Sequence, residues 1–207
     1  MKLYITPGSP YARIARVVII EKGLESRVDA IAAQTRLADS PYYRINPSGR
    51  VPYLIRDDGV GLEESAAICA YLDQLEGKAV FKLPAGDQEW EARRLEGLAR
   101  SLMDGLAVSV RELARPPQER SPTALLHEGE RSRRLVDLWE GEVGHALMGG
   151  AVNMVQITLA CALDFGARLP DFQWRPGHPG LVGWFDRLVA RPSFAATVPP
   201  ANRAAHH

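Results

Sequence analysis

Two serines stand where a hydroxyl can meet an anion. Ser9 precedes Pro10 just after the Pro7-Gly8 break, and Ser65 follows Glu63-Glu64 immediately before an apolar run of helical period. Both read as helix starts with serine at the N-cap. The free N–H groups and positive dipole end of such a terminus favour a carboxylate or another anion. Glu64, beside Ser65, is placed to accept from an ammonium group, and Arg50 in the turn before Val51-Pro52 offers a cation for a carboxylate. Each has a plainer local reading: the serines only cap their helices, Arg50 is a solvated strand-end arginine, and Pro52 is a turn proline at a strand start. Cys69 and Cys161 lie inside apolar helical patterns and read as small core residues, and there is no CxxC pair. His127, His145 and His178 lack the spacing of metal ligands, so no metal site is expected.

The elements that must position these residues follow from the apolar pattern. Lys2 to Ile5 is a short strand ended by Pro7-Gly8. Tyr11, Ile14, Ala15 and Val18 recur at helical spacing until Gly23, and Val28 to Ala33 is a second strand. After the turn Asn46-Pro47-Ser48-Gly49, the runs Val51–Asp57 and Val60–Glu64 flank Asp58-Gly59, a hairpin signal. A helix with Ile68, Leu72 and Leu75 on one face closes the segment. The order is β-α-β, then β-β-α, which is the thioredoxin-like arrangement. Beyond Pro84 and Gly86 no strand pattern recurs. Leu95, Leu98, Leu102, Leu106, Val110 and Leu113 trace a long amphipathic helix, Ser121-Pro122 opens another, and one more follows Pro179. The division expected is an α/β domain over residues 1–77, a linker over 78–87 and an all-helical domain over 88–205.

Composition narrows the class of partner. The 207 residues are 46% apolar and 24% charged, with Lys plus Arg at 25 balancing Asp plus Glu at 25. Neither the whole chain nor either side of Glu76 is basic, so no electrostatic pull toward nucleic acid or an anionic membrane is expected. Two cysteines exclude a disulfide scaffold and suit a reduced, cytoplasmic setting. Pro7, Gly8 and Pro10 interrupt any signal-peptide core. The uncharged stretch from Val143 to Leu163 is broken by Gly149-Gly150 and carries Asn153, Gln156 and Thr158. Two helices about a turn, the second deeply buried, describe it better than a membrane span.

Four stretches in order, spread over essentially the whole chain, resemble the glutathione transferase family: SPYARIARVVIIEKGL, INPSGRVPYLIRDDG, LEESAAICAYLD and GHPGLVGWFDRLVARPSFAATVP. The resemblance implies a transferase in which glutathione is a co-substrate and no cofactor is held tightly. It implies a homodimer, a role in detoxification, and a cis bond before Pro52. With it, Ser65 is expected at the γ-glutamyl carboxylate and Glu64 at the ammonium. The Val51 backbone is expected on the cysteinyl amide, in the manner of an added strand, and Arg50 at the glycyl carboxylate. Ser9 stands where serine-type members place the serine that donates to the thiolate, with Tyr11 and Tyr4 as fallback donors. A thiol of pKa about 8.5 is only a few per cent thiolate at neutral pH, and each unit of depression needs about 1.4 kcal/mol. The hydrophobic electrophile is expected in a cleft lined by the first turn of the first helix and by the long helix beginning near Trp90. Trp90, Arg94, Leu98 and Ser101 recur there at turn spacing, as a packing stripe also would. A non-enzymatic ligand- or protein-binding module of the same family is the alternative. Where relatives carry Ser or Thr followed three residues later by Asp, this chain has Asn153-Met154-Val155-Gln156. Gln156 is expected to reach back to the cap N–H, at some cost in stability relative to Asp.

Overall fold

The computed structural model describes residues 1–77, 79–81 and 83–200. Strict alternation puts Leu3 and Ile5 on the buried face of β1 (Lys2–Ile5), with Tyr4 on the other. β1 pairs in parallel with β2 (Asp29–Ala32) and antiparallel with β3 (Tyr53–Ile55), which pairs antiparallel with β4 (Gly61–Glu63). The strand order is therefore β2-β1-β3-β4. Between the parallel strands runs α1 (Pro10–Glu21), and after the hairpin comes α2 (Ser65–Gln74). This is the βαβ-ββα, thioredoxin-like order expected. β2 is a mostly exposed edge, so its apolar run supports less burial than its composition suggested.

Local chemistry sets the helix ends. α1 stops because Gly23 takes φ +65°, which lets its N–H reach the Ile20 carbonyl at 3.0 Å and the Leu24 N–H reach that of Ile19 at 2.9 Å. These two bonds form a Schellman closure, a conformation that costs glycine nothing. At the far end of α2, the buried Asp73 carboxylate accepts the N–H groups of Val80 (2.7 Å) and Phe81 (3.0 Å).

The helical part contains α3 (Asp87–Leu113), α4 (Pro122–Glu142), α5 (Met154–Gly166) and α6 (Pro179–Val189). α5 is the central rod, with Val155 through Leu163 all buried. Each large apolar side chain there is worth about 1.5–3 kcal/mol in water-to-core transfer. Between α4 and α5 the uncharged stretch holds one 3-10 turn, Ala146–Met148, rather than the full helix expected before Gly149. Among the described residues, no helix is long and apolar enough to cross a membrane.

Asn153 caps α5 as expected, accepting the Gln156 N–H at 3.2 Å. Gln156 does not reach back to the cap. Its Nε2 instead donates to the carbonyls of Leu147 (2.8 Å) and Gly149 (3.2 Å) in the incoming loop, and Asn153 Nδ2 also donates to Leu147 (2.8 Å). An aspartate accepts but cannot donate. Gln156 and Asn153 thus make bonds to the incoming loop that a carboxylate could not make.

Contacts divide the described chain into two compact units, residues 1–81 with 192–200, and residues 83–191. Residues 88–191 of the expected helical domain lie in the second unit and 192–200 in the first, while 201–205 lie outside the described residues. Short helix α7 (Pro192–Ala195) packs on α1, where buried Arg13 donates to the Phe194 carbonyl and the Thr197 hydroxyl, both at 3.3 Å. A polar arginine within an apolar helix pattern gave no hint of this role.

Candidate functional site

Register brings the first unit's candidate residues to one end of its sheet. Tyr4 pairs with Tyr53 and Tyr53 with Glu63, so three chain segments leave together: the C-terminal end of β1, the start of β3 and the end of β4. Ser9 lies beyond the first, Arg50, Val51 and Pro52 before the second, and Glu64 and Ser65 after the third.

Ser9 is the N-cap of α1. Its backbone is extended (φ −75°, ψ 122°), its N–H donates to the Thr6 carbonyl at 3.0 Å, and its Oγ accepts the Ala12 N–H at 3.2 Å. One lone pair is thus used for capping, while the hydroxyl proton and a second lone pair remain for an external partner. Capping and donation are compatible on this oxygen. Tyr11 sits within the first turn of α1, and the Tyr4 ring lies 5.5 Å from that of Tyr42, on the sheet face away from Leu3 and Ile5.

The turn before β3 is braced from within. Tyr42 Oη and Asn46 Nδ2 both donate to the Arg50 carbonyl, at 2.5 and 3.0 Å. Ser48 Oγ accepts the Arg50 N–H at 3.1 Å and donates to Glu63 Oε2 at 2.7 Å, tying the turn to β4. Gly49 has φ +67°, and a Cβ there would sit 2.8 Å from the Tyr43 ring, so any other residue is strained and must displace that ring. Burial pushes the Tyr42 phenol up from its ordinary pKa. The Val51–Pro52 bond is cis. Neither the N–H nor the C=O of Val51 finds a hydrogen-bond partner among the described residues, and the Arg50 side chain is exposed. Tyr42 and Asn46 were not singled out from sequence; the Asn-Pro-Ser-Gly turn was the only available sign.

At the start of α2 the structure shifts the expected cap by one residue. Glu64, not Ser65, is the N-cap, with its carbonyl accepting the Ile68 N–H at 2.9 Å. Ser65 is the first helical residue, 1% exposed, and its Oγ donates to Glu64 Oε1 at 3.2 Å. Glu64 holds φ +76° and ψ +120°, a region that costs a non-glycine residue about 1–3 kcal/mol. Such an outlier persists where its surroundings hold it, and here it directs an exposed carboxylate beside a buried hydroxyl.

In the helical unit, the Trp90 ring on α3 is 71% exposed and Leu98 is half-buried. Arg94 binds Glu91 on its own helix (2.6 Å) and Glu142 on α4 (2.8 Å), which raises its pKa still further. Ser101 Oγ accepts from Arg131 Nη2 at 2.6 Å. Arg94 and Ser101 are thus engaged in helix-to-helix contacts. Cys69 and Cys161 are buried, as their sequence context indicated. Among the described residues no three His, Cys, Asp or Glu side chains are grouped to hold a metal.

Comparison with known proteins gives this geometry its context. Residues 3–79 match the family model for the glutathione S-transferase N-terminal domain, and residues 102–192 that for the C-terminal domain. The chain belongs to the glutathione S-transferase family. Within that family it is 35% identical over 205 residues to the GST-like protein YibF of Escherichia coli K12, itself uncharacterized, with 97% of this chain and 99% of YibF covered. It is 29% identical to glutathione S-transferase 3 of Zea mays, with 99% of both covered. Among solved structures, a glutathione transferase family member from Pseudomonas fluorescens Pf-5 with bound glutathione superposes with a TM-score of 0.88. That pair is 33% identical, with 97% of this chain and 99% of the other covered.

Proposed function

We propose that this glutathione S-transferase family member catalyses attack of the glutathione thiolate on an electrophilic carbon of a small hydrophobic molecule. The reading rests on one observation: two helix N-termini, the free Val51 backbone and the Ser9 hydroxyl belong to segments that leave one end of one sheet. The γ-glutamyl carboxylate sits on Ser65 and the first N–H groups of α2, where dipole and donors both favour an anion. Glu64 accepts from the ammonium group. Val51, held before Pro52, exchanges hydrogen bonds with the cysteinyl amide like an added strand, and Arg50 meets the glycyl carboxylate.

The sulfur then lies at the N-terminus of α1. The Ser9 proton and the dipole of that helix favour thiolate over thiol, and one to two units of depression raise the reactive fraction about eightfold to twenty-fivefold at neutral pH. The sulfur lone pair forms the C–S bond, and in a substitution the leaving group departs with its electron pair. In an addition, the electron pair moves to the neighbouring acceptor and is protonated from solvent. Within the helical unit, Trp90 and Leu98 present apolar surface on α3, and Arg94 and Ser101 tie α3 to α4. The working form is a cytoplasmic homodimer serving detoxification, with glutathione exchanging as co-substrate and no tightly bound cofactor.

The test is a glutathione titration that follows thiolate absorbance, on wild type and Ser9→Ala. The expected result is saturable binding with thiolate visible at neutral pH, and thiolate lost in the variant while binding persists. Thiolate that survives Ser9→Ala shifts the donor to Tyr11, Tyr4 or the helix dipole alone. Binding without thiolate in wild type favours a ligand-binding module, and absence of binding overturns the reading.

A further inference from the structure

One peptide unit in the first unit is gripped on one side and free on the other. Tyr42 Oη and Asn46 Nδ2 both donate to the Arg50 carbonyl, at 2.5 and 3.0 Å, which fills its two lone pairs. Asn46 Nδ2 also donates to Tyr42 Oη at 3.5 Å, so the phenol oxygen accepts an N–H while donating its own proton. The Asn46 amide has one orientation, because its Oδ1 accepts the Ser48 N–H at 3.1 Å. Both donors are buried, Tyr42 4% and Asn46 2% exposed, and the Tyr4 ring packs 5.5 Å from that of Tyr42. The turn itself closes without them, through the Gly49 N–H to the Asn46 carbonyl at 3.0 Å.

Planarity turns this grip into a direction. The Arg50–Val51 peptide is trans, and in a trans unit the C=O and N–H lie in one plane and point opposite ways. With the Arg50 carbonyl fixed against the buried pair, the Val51 N–H is fixed facing away from it. That N–H has no hydrogen-bond partner among the described residues. Donation to a carbonyl also polarises the amide it belongs to, which strengthens the N–H at the other end. A loop amide without such a grip must be ordered when a ligand arrives, and that ordering weakens binding.

We propose that Tyr42, together with Asn46, is a positioning residue for glutathione: without touching the tripeptide, it aims the Val51 N–H at the cysteinyl carbonyl through the shared Arg50–Val51 peptide. This role deepens the proposed glutathione site and rests on it. Tyr42 and Asn46 act on affinity and not on the sulfur. No hydrogen bond joins either of them to Ser9 or Ser65 among the described residues.

The probe is ophthalmic acid, which is glutathione with a methyl group in place of the thiol. It keeps both amides and takes the sulfur out of the measurement. Calorimetric titration of the full-length protein compares wild type, Tyr42→Phe and Asn46→Asp. The first variant keeps the ring and removes its donor; the second keeps the acceptor for the Ser48 N–H and removes its donor. Each is expected to raise the Kd about three- to tenfold, the factor set by one neutral hydrogen bond. Thiolate absorbance at saturating glutathione is expected to match wild type, which a general loosening of the site would not leave alone. In nitrogen–proton NMR spectra, ophthalmic acid is expected to move the Val51 amide proton downfield, and to move it less in Tyr42→Phe. Unchanged affinity in Tyr42→Phe overturns the proposal, as does thiolate lost at saturation in that variant. If Tyr42→Phe does not fold, unchanged affinity in Asn46→Asp overturns it. A Val51 amide that ophthalmic acid leaves unmoved in wild type does so whatever the variants show. Wild type that binds no ophthalmic acid overturns the glutathione reading itself. Binding that ignores Tyr42 and Asn46 overturns only their role, so the two failures are distinguishable.

Discussion

At Ser9, the oxygen that accepts the Ala12 N–H is the same oxygen whose proton is proposed to reach the glutathione sulfur. Substitutions separate the two roles. Loss of a serine cap to alanine costs about 1 kcal/mol, whereas glycine at the cap costs only a few tenths. Ser9→Gly is therefore expected to melt close to wild type yet lose bound thiolate as fully as Ser9→Ala, by thermal unfolding and thiolate absorbance together. Thiolate retained in Ser9→Gly but not in Ser9→Ala would mean that helix integrity, not the hydroxyl, was the controlling factor. Ser65 teaches a related lesson. Its type and neighbourhood were legible in the sequence, but its position at the first helical residue was not, because the cap was decided by the left-handed backbone at Glu64.

Among the elements, α5 shows how a departure from a family pattern is absorbed. The cap residue was readable because Asn is a good acceptor for the first N–H groups. The direction of Gln156 was not, because its partners belong to the loop at residues 147–149, which only packing brings within reach. Gln156→Glu keeps the shape and replaces the Nε2 donor with an acceptor facing carbonyls. It is expected to destabilise by about 2–4 kcal/mol, read from chemical denaturation; a change under ~0.5 kcal/mol would contradict the role assigned to the amide. The end of β3 carries a different kind of tie. Asp57 accepts from the Met1 ammonium at 2.9 Å and from Arg27 at 3.1 Å, which hold its carboxyl below the ordinary carboxylate range. A depressed carboxylate contributes stability above its unfolded pKa and loses it as pH falls through the folded one. The melting temperatures of wild type and Asp57→Asn should therefore differ at neutral pH and converge in acid. A gap that stays constant with pH would show that ionisation of Asp57 is not its source.

For the whole molecule, the departure from a linear division of the chain lies at its end. Phe194 is 1% exposed, and its carbonyl accepts from Arg13 across 181 positions of sequence. Phe194→Ala opens a cavity in the first unit and is expected to cost about 3–5 kcal/mol, measured by denaturant unfolding. A cost below ~1 kcal/mol would mean that α7 contributes little to that unit. The balance of charge, which argued against nucleic acid, says nothing against an anionic ligand, since the proposed capture is local to helix N-termini and Arg50.

The sequence by itself determined the strand order of the first unit, the helices α1 to α6, the hairpin at Asp58-Gly59, the burial of both cysteines and the family, though not the 3-10 turn at Ala146–Met148 or α7. These follow from short-range periodicity, from turn residues with special backbone needs and from motifs a few residues long. The tertiary structure alone decided which residues hold the 46–52 turn, where Gln156 points and that α7 returns to α1. Arg13 meets Phe194 across 181 positions of sequence, and even the shorter contacts, from Tyr42 and Asn46 to Arg50 and from Gln156 to Leu147, depend on loop conformations that no periodicity encodes.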